Sequence, residues 1–168
     1  MGFTMDKDAA QFIPPGCIIK TAGTWTPSVA TNVYQDVRTA AAATFNLIIP
    51  VLAPSNQGPL KGSKLLSVEL IYKVATAALT SVTTVELEKE VIDSAGAVTG
   101  AAVTVSINSA EDTTAKRKAT GNHRVTVTLS TPAFIDNDEL YLLYVTFDAG
   151  ATTAVTLYGA IANYELRI

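Results

Sequence analysis

After residue 22, apolar residues recur at every second position along most of the chain. Phe45, Leu47 and Ile49 begin the pattern, which returns over 64–75, 82–92, 102–107, 124–130, 140–147 and 153–168. A period of two sends alternate side chains to opposite faces, so it predicts β-strands with one buried face. About eight strands result, with almost no helix between them. We predict an all-β fold, a jelly-roll β-sandwich of antiparallel strands.

Residues 1–22 lack this alternation and contain the rigid Pro14-Pro15-Gly16. We therefore divide the chain into an extended N-terminal arm or loosely docked first strand (1–22) and a β-sandwich domain (23–168). The arm carries apolar side chains that could anchor on a neighbouring subunit: Phe3, Met5, Phe12 and Ile13.

Three strands allow finer predictions. The segment 140–147 is apolar at every position up to Val145, which predicts a central strand covered on both faces. In 64–75 the buried face should comprise Leu66, Val68, Leu70, Tyr72 and Val74. The last strand changes parity between Leu157 and Tyr164, which predicts a β-bulge or bend near 159–163.

Composition limits the possible partners. Charged residues make up 16% of the chain, the net charge is −3 and the pI is about 5.1, so nucleic acid binding has no broad electrostatic support. The basic cluster Lys116-Arg117-Lys118 should lie in a loop or short helix capped by Ser109. No apolar run has the length of a membrane helix or signal peptide, which indicates a protein made in a cytoplasm, without membrane partners.

Catalytic residues and cofactors are not predicted. The single Cys17 rules out an intramolecular disulfide and is interpreted as a small apolar filler, and His123 as a turn or surface residue. The row Glu86, Glu88 and Glu90 should be solvated or paired with Lys64 or Lys73 rather than catalytic. We expect no enzyme activity.

The acidic stretch Asp136-Asn137-Asp138-Glu139 departs from an EF-hand loop after two positions. It is interpreted as the turn that leads into the core strand, with Asp136 or Asp138 hydrogen-bonded to local backbone N–H groups. A calcium site of another type, between sandwich loops, remains an alternative.

Carbohydrate binding is a further possibility, because sugar platforms use exposed aromatic rings. Trp25 is the only tryptophan and Tyr34 follows it closely. The same Trp25 could equally pack at the edge of the core.

Several segments resemble proteins encoded among tailed-bacteriophage structural genes, and the predicted architecture resembles jelly-roll capsid decoration (cement) proteins. The segments are "AGTWTPSVATNVYQDVRTAAAATFNLIIPV", "VELEKEV", "DTTAKRK" and "NDELYLLYVTFDAGATTAVTLYGAIANYELRI". The resemblance implies a structural virion protein on the capsid surface, a dimer or trimer that binds the major capsid protein and holds capsomers together. The second hypothesis is a carbohydrate- or receptor-binding module of a phage tail or fibre.

Overall fold

The structure is a computed structural model that describes residues 6–52 and 62–167. Phe3 and Met5 of the predicted arm, and the segment 53–61, lie outside the described residues. The described strands are β1 (Asp6–Ile13), β2 (Ile19–Lys20), β3 (Trp25–Ala30), β4 (Val33–Arg38), β5 (Ala43–Val51), β6 (Gly62–Ala75), β7 (Ser81–Ile92), β8 (Val98–Val103), β9 (Val105–Ile107), β10 (Gly121–Leu129), β11 (Glu139–Ala149) and β12 (Ala154–Arg167). A 3-10 turn covers Pro15–Cys17, and helix α1 (Thr114–Lys118) precedes β10.

The strands form two antiparallel sheets. Sheet A has the order β3-β4-β12-β6-β10-β9, with β1 also paired to β12, and sheet B has the order β2-β5-β11-β7-β8. Within them, β4 pairs with β12, β5 with β11, β6 with β10, and β7 with β8. This nested pairing is the connectivity of an eight-stranded jelly roll. The predicted all-β jelly-roll sandwich is therefore confirmed, with β1, β2, β3 and β9 added at its edges.

The core lies between the sheets and is built from the alternating apolar positions. On β11, Tyr141, Leu143, Val145 and Phe147 are all buried. The Phe147 ring stacks on Phe45 with centroids 5.2 Å apart. Each large apolar side chain buried in this way stabilises the fold by about 1.5–3 kcal/mol.

The predicted bulge in the last strand is confirmed. Gly159 has a φ of 129°, and the register of β12 against β6 shifts between Leu157 and Gly159 and again between Asn163 and Tyr164. The first shift divides the other edge of β12 between two partners. Val155–Leu157 pair with β4, whereas the stretch from Ala160 to Arg167 pairs with β1.

The second register shift corrects the predicted buried face of β6. Leu65 is fully buried, whereas Leu66 is only partly buried, because Asn163 pairs with Ser67 and Tyr164 with Leu65. Leu66 is thus the extra residue of the irregularity and turns outward, while Val68, Leu70, Tyr72 and Val74 face the core as predicted.

Helix α1 begins later than predicted. Its N-cap is Thr113, whose hydroxyl accepts a hydrogen bond from the Lys116 N–H, and not Ser109. The carbonyl of Ser109 instead accepts a hydrogen bond from Lys116 Nζ at 2.6 Å. Glu111, which lies before the helix, is buried.

Strand β11 is central in sheet B, as predicted, since it pairs with β5 and β7 along its length. The prediction that both faces are covered was wrong for the described part of the chain. Leu140, Leu142 and Tyr144 point away from the core and are only partly buried. No described element packs over this outer face.

The segment 6–22, part of the predicted arm, contains β1, the 3-10 turn and β2. Strand β1 pairs with β12 of the same chain from Asp6 opposite Arg167 to Ile13 opposite Ala160. An ion pair joins Asp6 Oδ1 to Arg167 Nε at 3.3 Å. Among the described residues, no helix is long and apolar enough to cross a membrane.

Candidate functional site

A concave trough lies on the outer face of sheet A, where β12 runs between β1 and β6. Its volume is about 400 Å³, within the range of small-ligand sites. We call it the β12 trough; its lining residues are Asp8, Ala9, Ala10, Leu66, Asn163 and Tyr164.

Local sequence explains why the trough forms. The alanines at 9 and 10 leave the β1 side low, since they place only methyl groups beside β12. On the opposite side, Leu66 is displaced outward by the register shift at Asn163. Strand β1 thus forms a low wall of the trough, Leu66 forms a higher, apolar wall, and β12 lies between them.

The floor of the trough is a fixed polar network. Asn163 Nδ2 donates to Ser67 Oγ at 3.0 Å and to Glu69 Oε1 at 2.9 Å. The other oxygen of Glu69 forms a short ion pair with Arg124. These bonds orient the Asn163 amide so that its Oδ1, for which no donor is found among the described residues, can accept a hydrogen bond from a ligand.

The β1 side adds a carboxylate. Asp8 is exposed and has neither an ion pair nor a hydrogen bond among the described residues. Its cross-strand neighbour Glu165 is already paired with Lys64 at 2.5 Å. The trough therefore offers two free acceptors beside an apolar wall, which is the chemistry that binds hydroxyl groups and aliphatic C–H groups together.

Tyr164 supports the floor from inside. Its ring is buried in the core and its hydroxyl lies 3.5 Å from both Gln11 Oε1 and the Leu52 carbonyl. Burial raises the pKa of Tyr164 to about 12, so the phenol is neutral in ordinary conditions. Its role is to hold β1 and β12 together.

The interaction residues predicted from sequence lie elsewhere and in separate places. Phe12 is 57% exposed, whereas Ile13 is buried, and both line a small apolar pocket of about 80 Å³ with Cys17, Pro50 and Leu52. Phe3 lies outside the described residues. Cys17 is exposed and fills no space in the core, so its interpretation as a small apolar filler was wrong.

Trp25 and Tyr34 do not form one platform. The Trp25 ring packs edge-on against Phe45, and its N–H donates to the Ala22 carbonyl at 3.0 Å. Tyr34 is 46% exposed near the tip of the β3–β4 hairpin. The two residues are separated by about 13 Å along the hairpin, because Trp25 pairs with Arg38, four positions beyond Tyr34.

A buried charged cluster lies beside Trp25. Lys20 pairs with Asp36 at 2.6 Å, and the guanidinium of Arg38 lies over the Phe45 ring at 4.5 Å. Burial lowers the pKa of Arg38. These groups are enclosed by the sandwich and brace its edge.

His123 is buried, and its prediction as a turn or surface residue was wrong. Its Nδ1 lies 3.1 Å from Glu111 Oε1, its Nε2 lies 2.8 Å from the Ala119 carbonyl, and its ring stacks on Tyr72. The arrangement fastens α1 to sheet A.

The acidic turn before β11 is also structural. The carboxylate of Glu139, rather than of Asp136 or Asp138, accepts a hydrogen bond from a local backbone N–H, that of Asp136 at 3.2 Å. Glu139 also pairs with Lys89. Within 6–52 and 62–167, no group of three His, Cys, Asp or Glu side chains is placed to hold a metal ion.

Comparison with known proteins gives neither a matching family model nor a matching curated protein. Solved structures with a similar chain course include a carbohydrate-binding module, TmCBM61, in complex with β-1,4-galactotriose. It has 10% identity and a TM-score of 0.38, over 96% of this chain and 88% of that chain.

In two further solved structures, the similar region is only part of a larger chain. The enzymatically active domain of bacteriophage CBA120 tailspike protein 4 has 6% identity and a TM-score of 0.37, over 94% of this chain and 19% of that one. The arabinose-bound α-L-arabinofuranosidase MgGH51 has 10% identity and a TM-score of 0.38, over 91% and 24%. At these values no function carries over, and none of the three is a capsid decoration protein. The class that the chain's own topology defines is the jelly-roll β-sandwich.

Proposed function

We propose that this chain is a non-enzymatic carbohydrate- or receptor-binding β-sandwich module of a phage tail or fibre, with the β12 trough as its saccharide site. The observation that carries the proposal is the trough itself: free acceptors on Asp8 and Asn163 beside the apolar wall of Leu66. The resemblance of the sequence to tailed-phage structural proteins supports a location in a phage tail or fibre.

The chemistry of the trough suits a neutral sugar. A carboxylate accepts hydrogen bonds from hydroxyl groups, and an apolar side chain packs against the C–H face of a pyranose ring. The Asn163 amide is held by two hydrogen bonds before any ligand arrives, so little ordering entropy is lost on binding. An anionic sugar is disfavoured, since Asp8 is a carboxylate without an ion-pair partner among the described residues.

A glycan array, followed by calorimetric titration with the best binder, tests this site. We expect Asp8→Ala to weaken binding by about tenfold, the scale of a lost hydrogen bond to a charged group. Ala10→Phe should abolish binding, because Ala10 lies directly opposite Asn163 and the ring would fill the trough.

Asn122→Phe is the matched control. Asn122 is exposed on sheet A opposite Lys73, at the other end of β6. A blank array, or Ala10→Phe binding as tightly as the unaltered chain, would overturn the proposal.

A second candidate, capsid decoration by a homo-oligomer, is favoured by a different observation. The chain exposes several large apolar side chains on its edges, namely Phe12, Ile19, Val29, Val33, Tyr34 and Leu52. Exposed apolar surface of this kind is typical of protein contacts. In this alternative the chain binds the major capsid protein and itself.

Sedimentation of the purified chain, alone and with expanded phage capsids, tests the alternative. Decoration predicts a dimer or trimer that co-sediments with capsids, and Phe12→Ser should reduce the co-sedimenting fraction. A stable monomer without affinity for capsids would remove this candidate and leave the saccharide proposal untouched.

A further inference from the structure

The outer face of sheet B combines an uncovered apolar stripe with a row of unpaired carboxylates. We call it the acidic–apolar face; the stripe is Ile48, Pro50, Leu140, Leu142 and Tyr144, and the row is Glu86, Glu88 and Glu90. Outward positions of a sandwich strand that faces water normally alternate as polar residues. On β11 the first three outward positions are Leu140, Leu142 and Tyr144, all only partly buried, and the polar Thr146 and Asp148 follow them.

Strand register fixes how stripe and row lie side by side. Tyr144 lies between Ile48 of β5 and Glu86 of β7, and Leu142 lies between Pro50 and Glu88. Leu140 is opposite Glu90. The row of glutamates therefore runs along one border of the apolar stripe, on the neighbouring strand, whose backbone lies about 4.8 Å away.

Among the described residues, no Lys or Arg lies opposite the three glutamates on a neighbouring strand, and Lys89, between Glu88 and Glu90 in the chain, pairs with Glu139. On their other side, β8 places Ala102 opposite Glu88 and Gly100 opposite Glu90. None of the three forms an ion pair or hydrogen bond among the described residues. Lys64 and Lys73, which the sequence suggested as possible partners, lie on β6 in sheet A, so that alternative was wrong, whereas the other alternative, a row that faces solvent, agrees with the partial exposure of all three glutamates.

We propose that this face docks an amphipathic α-helix of another protein, a helix whose apolar stripe is bordered on one side by Lys or Arg. A helix laid on a sheet is a standard protein layer. The span from Glu86 to Glu90 is about 14 Å, and basic residues at i, i+4 and i+8 of a helix span about 12 Å. Basic residues at that spacing therefore match the row.

Charge also selects against a second copy of this chain. Two such faces in contact would bring glutamates to apolar residues or to other glutamates, with no Lys or Arg from the described part of either face to pair with them. Burying unpaired carboxylates is costly. A basic partner instead neutralises the row while covering the stripe, and it leaves the β12 trough on sheet A free.

The probe is a synthetic helical peptide of about 18 residues, roughly 27 Å long, with a leucine stripe and lysines at i, i+4 and i+8 on one flank. Its control carries glutamate at those three positions. Fluorescence anisotropy with the full chain measures affinity at low and at high salt. We expect the lysine peptide to bind, more weakly at high salt, and the glutamate peptide not to bind.

Two sets of variants locate the binding. The triple variant Glu86→Gln/Glu88→Gln/Glu90→Gln should bind the lysine peptide about tenfold more weakly, as expected for three partly exposed ion pairs. A matched variant, Asp6→Asn/Asp112→Asn/Glu165→Gln, removes the same charge elsewhere and should bind normally. Leu142→Ser should weaken binding in both salts.

Three outcomes would overturn the proposal. They are no binding of the lysine peptide, equal binding of both peptides, and equal loss in the two triple variants. Dimerisation of the chain that Leu142→Ser abolishes would also overturn it, because a second copy would then be the occupant.

Discussion

His123 shows how a single residue fastens a loop to the sandwich. Both ring nitrogens face acceptors, the Glu111 carboxylate and the Ala119 carbonyl, so both hydrogen bonds form when both nitrogens carry a proton. Tyr72 packs under the ring and donates its own hydroxyl hydrogen to the Arg117 carbonyl at 2.7 Å. The network thus joins β6, β10 and the segment that contains α1.

His123→Ala should lower the free energy of unfolding by about 2–4 kcal/mol, because it leaves the buried Glu111 without its partner. Urea denaturation measures the change. In a double-mutant cycle, Glu111→Ala should cost less in the His123→Ala background than alone. Lys116→Ala, on the exposed side of α1, is the control and should change stability by less than about 1 kcal/mol. If His123→Ala and Lys116→Ala lowered the free energy of unfolding by the same amount, this role of His123 would be contradicted.

Buried tyrosines predict a loss of stability at alkaline pH. Burial raises the pKa of Tyr164 to about 12 and also raises the pKa values of Tyr72 and Tyr141. A group with a raised folded-state pKa contributes its stability in full below its unfolded pKa, about 10 for tyrosine, and loses it as the pH rises through the folded value. Urea denaturation from about pH 8 to about pH 12 should therefore show falling stability above about pH 10.

Tyr164→Phe tests the contribution of one phenol. Its stability should fall less steeply above about pH 10, because the altered side chain has no proton to lose. Tyrosinate absorbance provides a second measurement, since the native chain should ionise at higher pH than the urea-unfolded chain. Identical titrations of native and unfolded protein would contradict the prediction.

At the scale of the element, β12 is central to sheet A because its bulge allows one edge of the strand to pair with both β4 and β1. Gly159 makes this possible in two ways. Its φ of 129° is rarely adopted by residues with a side chain, and a Cβ there would lie 2.6 Å from the Ile13 carbonyl oxygen. The docking of β1, and with it one wall of the β12 trough, depends on this glycine.

Gly159→Ala should destabilise the fold by about 2 kcal/mol or more and loosen β1. Hydrogen exchange should become faster across Asp6–Ile13, while β11 remains protected. Gly100→Ala is the matched control, because the nearest atom to its added Cβ is Glu90 Cγ at 3.9 Å, an ordinary contact. If both substitutions had the same effect, the close approach at Gly159 would not be what holds β1.

At the scale of the whole molecule, the jelly roll pairs segments that are far apart in the chain. Strand β1 pairs with β12, and β4 also pairs with β12. Asp6 thus lies opposite Arg167, which brings the two ends of the described chain together on one edge of sheet A. Folding must close these long loops, so we expect it in the slow range typical of all-β domains.

A circular permutant tests this closure. A short flexible linker would join residue 168 to residue 1, with new ends between Ala95 and Gly96 in the exposed turn after β7. The permutant should fold with an unchanged far-ultraviolet circular dichroism spectrum and a melting temperature within a few degrees of the original. An unfolded permutant would contradict the ring-like arrangement.

The strands and the bulge were predictable because they depend on local spacing. Alternation over 124–130 and 140–147 corresponds to β10 and β11, and the parity change around Gly159 corresponds to the observed register shift. The capping of α1 was not predictable in the same way. Ser109 and Thr113 are both good caps, and the hydrogen bonds of the surrounding loop decide between them.

The candidate site was hidden from sequence because it depends on distant pairings. Ala10 and Asn163 are unremarkable separately, and only the pairing of β1 with β12 places them opposite each other. The outward turn of Leu66 follows from the register shift between β6 and β12 at Asn163, where Leu66 has no partner, and not from the apolar alternation of β6. The sequence suggested Trp25 as a possible sugar-binding residue because it is aromatic, but its indole packs against Phe45 in the core.

The sequence by itself determined that this protein is an antiparallel β-sandwich, since periodicity and glycine conformation are properties of neighbouring residues. The tertiary structure alone decided which faces are covered. Leu140, Leu142 and Tyr144 are apolar enough for a core, yet sheet B leaves them outward beside three unpaired glutamates. Whether a side chain is buried depends on segments that are remote in the chain. Hydropathy therefore shows which side chains gain free energy from burial, whereas the packing of the sheets decides which of them remain exposed.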